Sequence, residues 1–191
     1  MLKLTVYGTP VGKGALKCVG AVGGVRHRLI ASNDKTLKPW ADKITDAAAK
    51  AHARGHRFAG PVGVYMTFTF PRPVTARHVL PITRTGGDLD HHVRSVLDGC
   101  TAGGLWADDS QVVMIEAASV YADTPLLVDE EGNPIGRAGR LQEPGVVLWV
   151  YAVQLVCDTC NGAGEILDPS GPPPPRANAA TCPDCHGQGV R

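Results

Sequence analysis

Gly87-Asp88-Leu89-Asp90-His91-His92-Val93-Arg94-Ser95-Val96-Leu97-Asp98, followed after Gly103-Gly104 by Leu105-Trp106-Ala107-Asp108-Asp109-Ser110-Gln111, concentrates carboxylates and one cation in a short length of chain. Val93, Val96, Leu97 and Cys100 recur at the i, i+3, i+4, i+7 spacing of a helix with one apolar stripe, which predicts a helix opening near Asp88. Asp88 or Asp90 would cap it, and in an extended approach two residues so spaced point the same way. The face opposite the stripe then carries Asp90, Arg94 and Asp98, with Asp88 at its mouth. The apolar run Val112, Val113, Met114, Ile115 predicts a strand whose start would deliver Asp108 or Asp109 to the same mouth.

Hard divalent cations prefer oxygen ligands, and Mg²⁺ takes one or two carboxylates while keeping room for water and substrate phosphate. An ion held here would activate water for in-line attack on a phosphodiester and offset charge on the phosphorus oxygens. The same residues also serve ordinary structural ends, because Asp-x-Asp caps helices and Asp-Asp-Ser makes turns. Spacing alone leaves both readings open.

The order Asp88-Leu89-Asp90, a basic residue at Arg94, a helix, then Leu105-Trp106-Ala107-Asp108-Asp109-Ser110-Gln111 resembles the signature of the RusA-type Holliday junction resolvases, over about residues 1–155. The resemblance implies an α+β domain, a mixed sheet with two main helices. It implies a homodimeric, Mg²⁺-dependent, structure-selective endodeoxyribonuclease that resolves four-way DNA junctions by paired nicks in recombination and repair. Asp88, Asp90 and Asp109 match the catalytic, Mg²⁺-binding aspartates, and Asp108 the less critical acid beside them. Arg94 stands where the family has a catalytic Lys; a guanidinium grips phosphate but stays protonated, so its part would be charge stabilisation. His91 stands where Asn is expected. These two departures motivate an alternative reading, a junction or branched-DNA binding protein with little or no turnover.

The net charge of +1 conceals a division. Residues 1–87 hold 14 Lys and Arg against 3 acids, and residues 88–191 hold 5 Arg against 15 acids. Such asymmetry fits a polyanion partner for the first half, or two halves that fold together and cancel. Leu2, Leu4 and Val6 alternate with polar residues as a half-buried strand, followed by a glycine-rich loop with Lys13 and Lys17. A hairpin over 19–31 would present Arg26, His27 and Arg28, and Arg84 approaches the acid cluster from the preceding loop. Lys13, Lys17, Arg26, Arg28 and Arg84 are therefore the candidate DNA-backbone contacts. Asn33 or Asp34 would start a helix with Pro39 in its first turn and a stripe of Trp40, Ile44, Ala47, Ala48 and Ala51. Val62, Val64, Met66, Phe68 and Phe70 alternate as a strand. The stretch 111–121 is apolar on both faces, which predicts an interior strand, and 146–156 a last long strand.

The tail differs in kind. Cys157-Asp158-Thr159-Cys160-Asn161-Gly162-Ala163-Gly164 and Cys182-Pro183-Asp184-Cys185-His186-Gly187-Gln188-Gly189 repeat Cys-x-x-Cys-x-Gly-x-Gly. Four thiolates so spaced suit one tetrahedral structural Zn²⁺; a redox disulfide pair is the other use of such cysteines. The motif resembles the zinc module of DnaJ-type chaperones, with two knuckles. The expected organisation is an endonuclease domain over 1–155 and a zinc ribbon over 156–191, which could also serve as an interaction adaptor. Neither a signal peptide nor a membrane span is legible, so a cytoplasmic protein of a bacterial host, compatible with phage origin, is expected.

Overall fold

A computed structural model describes residues 1–21, 27–82, 88–125, 127–133, 138–154, 165–166 and 180–181, with backbone alone at 19–21, 27–30, 165–166 and 180–181. The chain divides into two units, Met1–Ala152 and Val153–Arg191. In the first, β1 (Leu2–Tyr7) leads to a hairpin of β2 (Leu16–Ala21) and β3 (His27–Ala31), then α1 (Asp34–Ala53), β4 (Val62–Phe70), α2 (Leu89–Ala102), a 3-10 turn (Asp109–Gln111), β5 (Val112–Tyr121) and β6 (Gly145–Ala152). In the second, β7 (Glu165–Ile166) pairs antiparallel with β8 (Ala180–Thr181).

The main sheet has the order β1-β6-β4-β5. β4 and β5 run parallel and the other pairs antiparallel, so the sheet is mixed. A parallel pair requires a crossover, and α2 supplies it. The α+β expectation of a mixed sheet with two main helices describes this unit.

The alternation in β4 has its predicted consequence: Val62, Val64, Met66, Phe68 and Phe70 are all buried. The register sets Val64, Met66 and Phe68 beside Val150, Leu148 and Val146 of β6, and those beside Leu2, Leu4 and Val6 of β1. One face of the sheet is thus apolar from strand to strand, and the helices cover it. α1 buries Leu37, Trp40, Ile44, Ala48 and Ala51. α2 buries His92, Ser95, Val96, Leu97, Gly99 and Cys100, a stripe turned slightly from the predicted one, so that Val93 is only half-buried. The two helices approach through glycines. A Cβ on Gly99 would stand 2.7 Å from Ile44 Cγ2, and one on Gly103 2.4 Å from Ala48 Cβ.

Two expectations are corrected. α1 begins at Asp34, so Pro39 is its sixth residue and lies past the first turn. β5 is the edge of the sheet among the described strands, not an interior strand. Val113, Met114 and Ile115 are 56%, 54% and 47% exposed there. Apolar composition signals burial without saying whether the same chain supplies the cover. Among the described residues no helix is long and apolar enough to cross a membrane.

Candidate active site

Asp88 is the N-cap residue of α2, in extended conformation, with no hydrogen bond from its side chain to the helix. Its carboxylate is therefore not used in capping. Asp90 occupies the first turn, and both acids are exposed. Single ligand atoms of Asp88, Asp90 and His91 all lie within 4.8 Å of one another. Ligands on opposite sides of an Mg²⁺ ion stand about 4.2 Å apart, given bonds of about 2.1 Å. Two carboxylates and an imidazole thus converge as candidate ligands for a divalent cation, at a spread slightly wider than a closed Mg²⁺ shell.

The two consecutive histidines part company because a helix turns by about 100° per residue. His91 faces the acids, with Nε2 3.9 Å from Asp90 Oδ2, beyond hydrogen-bond reach. His92 is buried against Phe68 and Phe70, its ring 5.6 and 5.0 Å from theirs. No spacing rule for carboxylates would have singled out His91; the signal was its departure from the expected Asn.

The loop after β1 braces this end of α2. Lys13 N–H donates to the His91 carbonyl at 3.0 Å, and a Cβ on Gly12 would stand 2.9 Å from His91 Cβ, so the close approach requires glycine. Asn33 holds the loop from the other side: its Nδ2 donates to Gly12 O at 2.8 Å and its Oδ1 accepts from Gly14 N at 3.0 Å. Lys13 Nζ pairs with Asp98 Oδ2 at 2.5 Å. The cation expected to meet phosphate thus first ties the loop to α2. Lys17 is exposed on β2. Arg28 lies on β3, where the backbone alone is described, and Arg26, Arg84, Cys157, Cys160, Cys182 and Cys185 lie outside the described residues.

Arg94 is exposed and makes no ion pair among the described residues. It shares with Asp90 an open groove of about 460 Å³ between α2 and β5, floored by Val93, Leu97, Ile115 and Ala117. A phosphate on the guanidinium would adjoin the acid cluster. Arg72, in contrast, is structural: it pairs with Asp123 at 2.9 Å, donates to His78 O and Val79 O, and stacks on Tyr121.

Asp108 caps the 3-10 turn, its Oδ1 accepting from Ser110 N at 2.9 Å, and these hydrogen bonds from Ser110 hold its carboxyl below the usual range. Gln111 fastens the turn to the start of β4 through Phe58 O and Gly60 O. Asp109, exposed and without an ion pair among the described residues, opens the turn.

The predicted delivery of Asp109 to the mouth of α2 does not occur within one chain. His92, in the first turn, packs on Phe68 and Phe70 at the end of β4, whereas Leu105, just past the last turn, accepts from Phe58 N before β4 begins. β5 starts there too, Val112 pairing with Val62. Asp88 and Asp90 are therefore at one end of the helix and Asp109 at the other, and fourteen helical residues span about 21 Å.

The family model for the endodeoxyribonuclease RusA matches residues 8–128, which include the acid cluster, Arg94 and Asp109. The chain belongs to the RusA family of endodeoxyribonucleases. No curated protein matches it.

Proposed function

We propose that the chain is a homodimeric, Mg²⁺-dependent, structure-selective endonuclease that resolves four-way DNA junctions by paired nicks. The convergence of Asp88, Asp90 and His91 beside a groove that Arg94 shares carries the reading. Asp88, Asp90 and Asp109 are the acids assigned to the metal, Asp88 and Asp90 meeting beside His91 while Asp109 lies at the far end of α2 within one chain. When bound, the ion polarises the scissile phosphate and lowers the cost of activating water. Arg94 grips the phosphate through fixed donors and stabilises its growing charge without exchanging a proton. Lys17, Arg26, Arg28 and Arg84 contact the DNA backbone, and Lys13 orders the loop that backs His91. In the tail, Cys157, Cys160, Cys182 and Cys185 hold one structural Zn²⁺; the doubled Cys-x-x-Cys-x-Gly-x-Gly spacing supports this.

The test is incubation of the full-length protein with Mg²⁺ and a synthetic four-way junction, beside linear duplex and fork controls. Symmetric nicks confined to the junction are expected. Tight junction binding without nicks would favour the binding protein without turnover, and tight binding of neither DNA would favour the adaptor.

A further inference from the structure

Giving the metal to carboxylates leaves one group at the start of α2 without a task, the His91 imidazole. A ligand atom of His91 lies within 4.8 Å of one from each of Asp88 and Asp90. Its Nε2 is 3.9 Å from Asp90 Oδ2, too far for a hydrogen bond between them. Two ligands of one ion, with bonds of about 2.1 Å, stand about 3.0 Å apart when adjacent and about 4.2 Å apart when opposite. The separation of His91 from Asp90 falls between these, so an ion has room to touch both.

His91 is held in this place from behind. Its carbonyl accepts from Lys13 N–H at 3.0 Å, and a Cβ on Gly12 would stand 2.9 Å from His91 Cβ. Asn33 fixes that loop at Gly12 O and Gly14 N. The loop backbone thus lies against the root of the side chain, and the ring, 44% exposed, borders Asp90. His92, one residue on, spends its ring on Phe68 and Phe70 instead. Surroundings that fix a ligand before the ion arrives strengthen binding, because less freedom is lost on binding.

We propose that His91 is a third protein ligand of the ion held by Asp88 and Asp90, and that its nitrogen biases the site toward first-row transition ions, Mn²⁺ among them, over Mg²⁺. The inference rests on the reading of those acids as metal ligands. Mg²⁺ is a hard ion that favours oxygen and keeps several waters, whereas imidazole suits transition ions. One nitrogen in the shell therefore widens the gap between Mn²⁺ and Mg²⁺.

Mn²⁺ titration of the full-length protein followed by EPR, with Mg²⁺ as competitor, tests this. Pulsed EPR of Mn²⁺ on the unaltered protein should show echo modulation from a directly bonded nitrogen. His91→Ala should abolish that modulation and weaken Mn²⁺ roughly tenfold or more, since even a group behind a ligand is worth that much, while weakening Mg²⁺ far less. His91→Asn, which offers oxygen in place of nitrogen, should also lose the modulation and narrow the preference for Mn²⁺. Modulation that persists in both variants, or Mn²⁺ and Mg²⁺ affinities that fall alike, would overturn the proposal. Mn²⁺ that depends on Asp90 but shows no bonded nitrogen in the unaltered protein would also overturn it, leaving the acids as assigned. If Asp90→Asn binds Mn²⁺ as tightly as the unaltered protein, the assignment of the acids fails and His91 as their fellow ligand with it.

Discussion

Lys13 Nζ meets Asp98 Oδ2 at 2.5 Å across 85 positions of sequence, joining the loop after β1 to the third turn of α2. Their side chains are 27% and 40% exposed, so solvent screens the pair and its coupling energy should be about 0.2–1 kcal/mol in a double-mutant cycle of Lys13→Ala and Asp98→Ala by urea denaturation. Its larger effect should be on the loop behind His91, read as faster hydrogen exchange at the Lys13 amide in either variant. Unchanged exchange would remove the pair from the support of the site.

The crossing of the helices sets a second expectation. Gly99→Ala would push a methyl to within 2.7 Å of Ile44 Cγ2, and such overpacking costs about 1–3 kcal/mol. At about 2–4 °C per kcal/mol for a chain of this size, the melting temperature should fall by about 2–12 °C. A variant that melts with the unaltered protein would show that the helices part more easily than their packing implies.

Burial pushes the Cys100 thiol up to about 12 from an ordinary 9.0. The folded state keeps a proton that the unfolded state releases as pH rises past 9, so this residue's contribution to stability is complete below pH 9 and is lost progressively as pH climbs toward 12. Cys100→Ala should make unfolding free energy less steeply dependent on pH over that range. In the native protein at pH 8, iodoacetamide followed by peptide mass spectrometry should label exposed Cys18 and leave Cys100 unmodified.

The tail reading predicts one Zn²⁺ per chain by atomic emission, falling to none in the Cys157→Ser, Cys182→Ser double variant. A chain purified without zinc, with the same four cysteines in disulfides, would contradict it.

What the sequence made legible follows from which patterns are local. The alternation in β4 and the apolar spacing in α2 report their buried faces directly, because each residue's direction depends on its neighbours in the chain. Asp88 and Asp90 were legible for the same reason: they share one helix start. Asp109 was not, because its place depends on which way α2 runs across the sheet, and a twenty-residue separation is the same in either direction. The edge position of β5 was not legible because an apolar strand has the same composition at the edge of a sheet as in its interior. The partner of Lys13 was hidden by distance in sequence, and His91 was marked only by standing where Asn is expected.

The central claim, that the acids at the start of α2 are there to cut DNA and not to hold the fold, is tested most directly by comparing Asp90→Asn with the unaltered protein in junction binding, junction cleavage with Mg²⁺, and thermal melting. Asp90 is exposed in the first turn of α2, so melting and binding should be nearly unchanged, while nicking should fall by roughly a hundredfold or more, the loss of several kcal/mol of metal-assisted stabilisation. Cleavage at the unaltered rate by a well-folded Asp90→Asn protein would contradict the account.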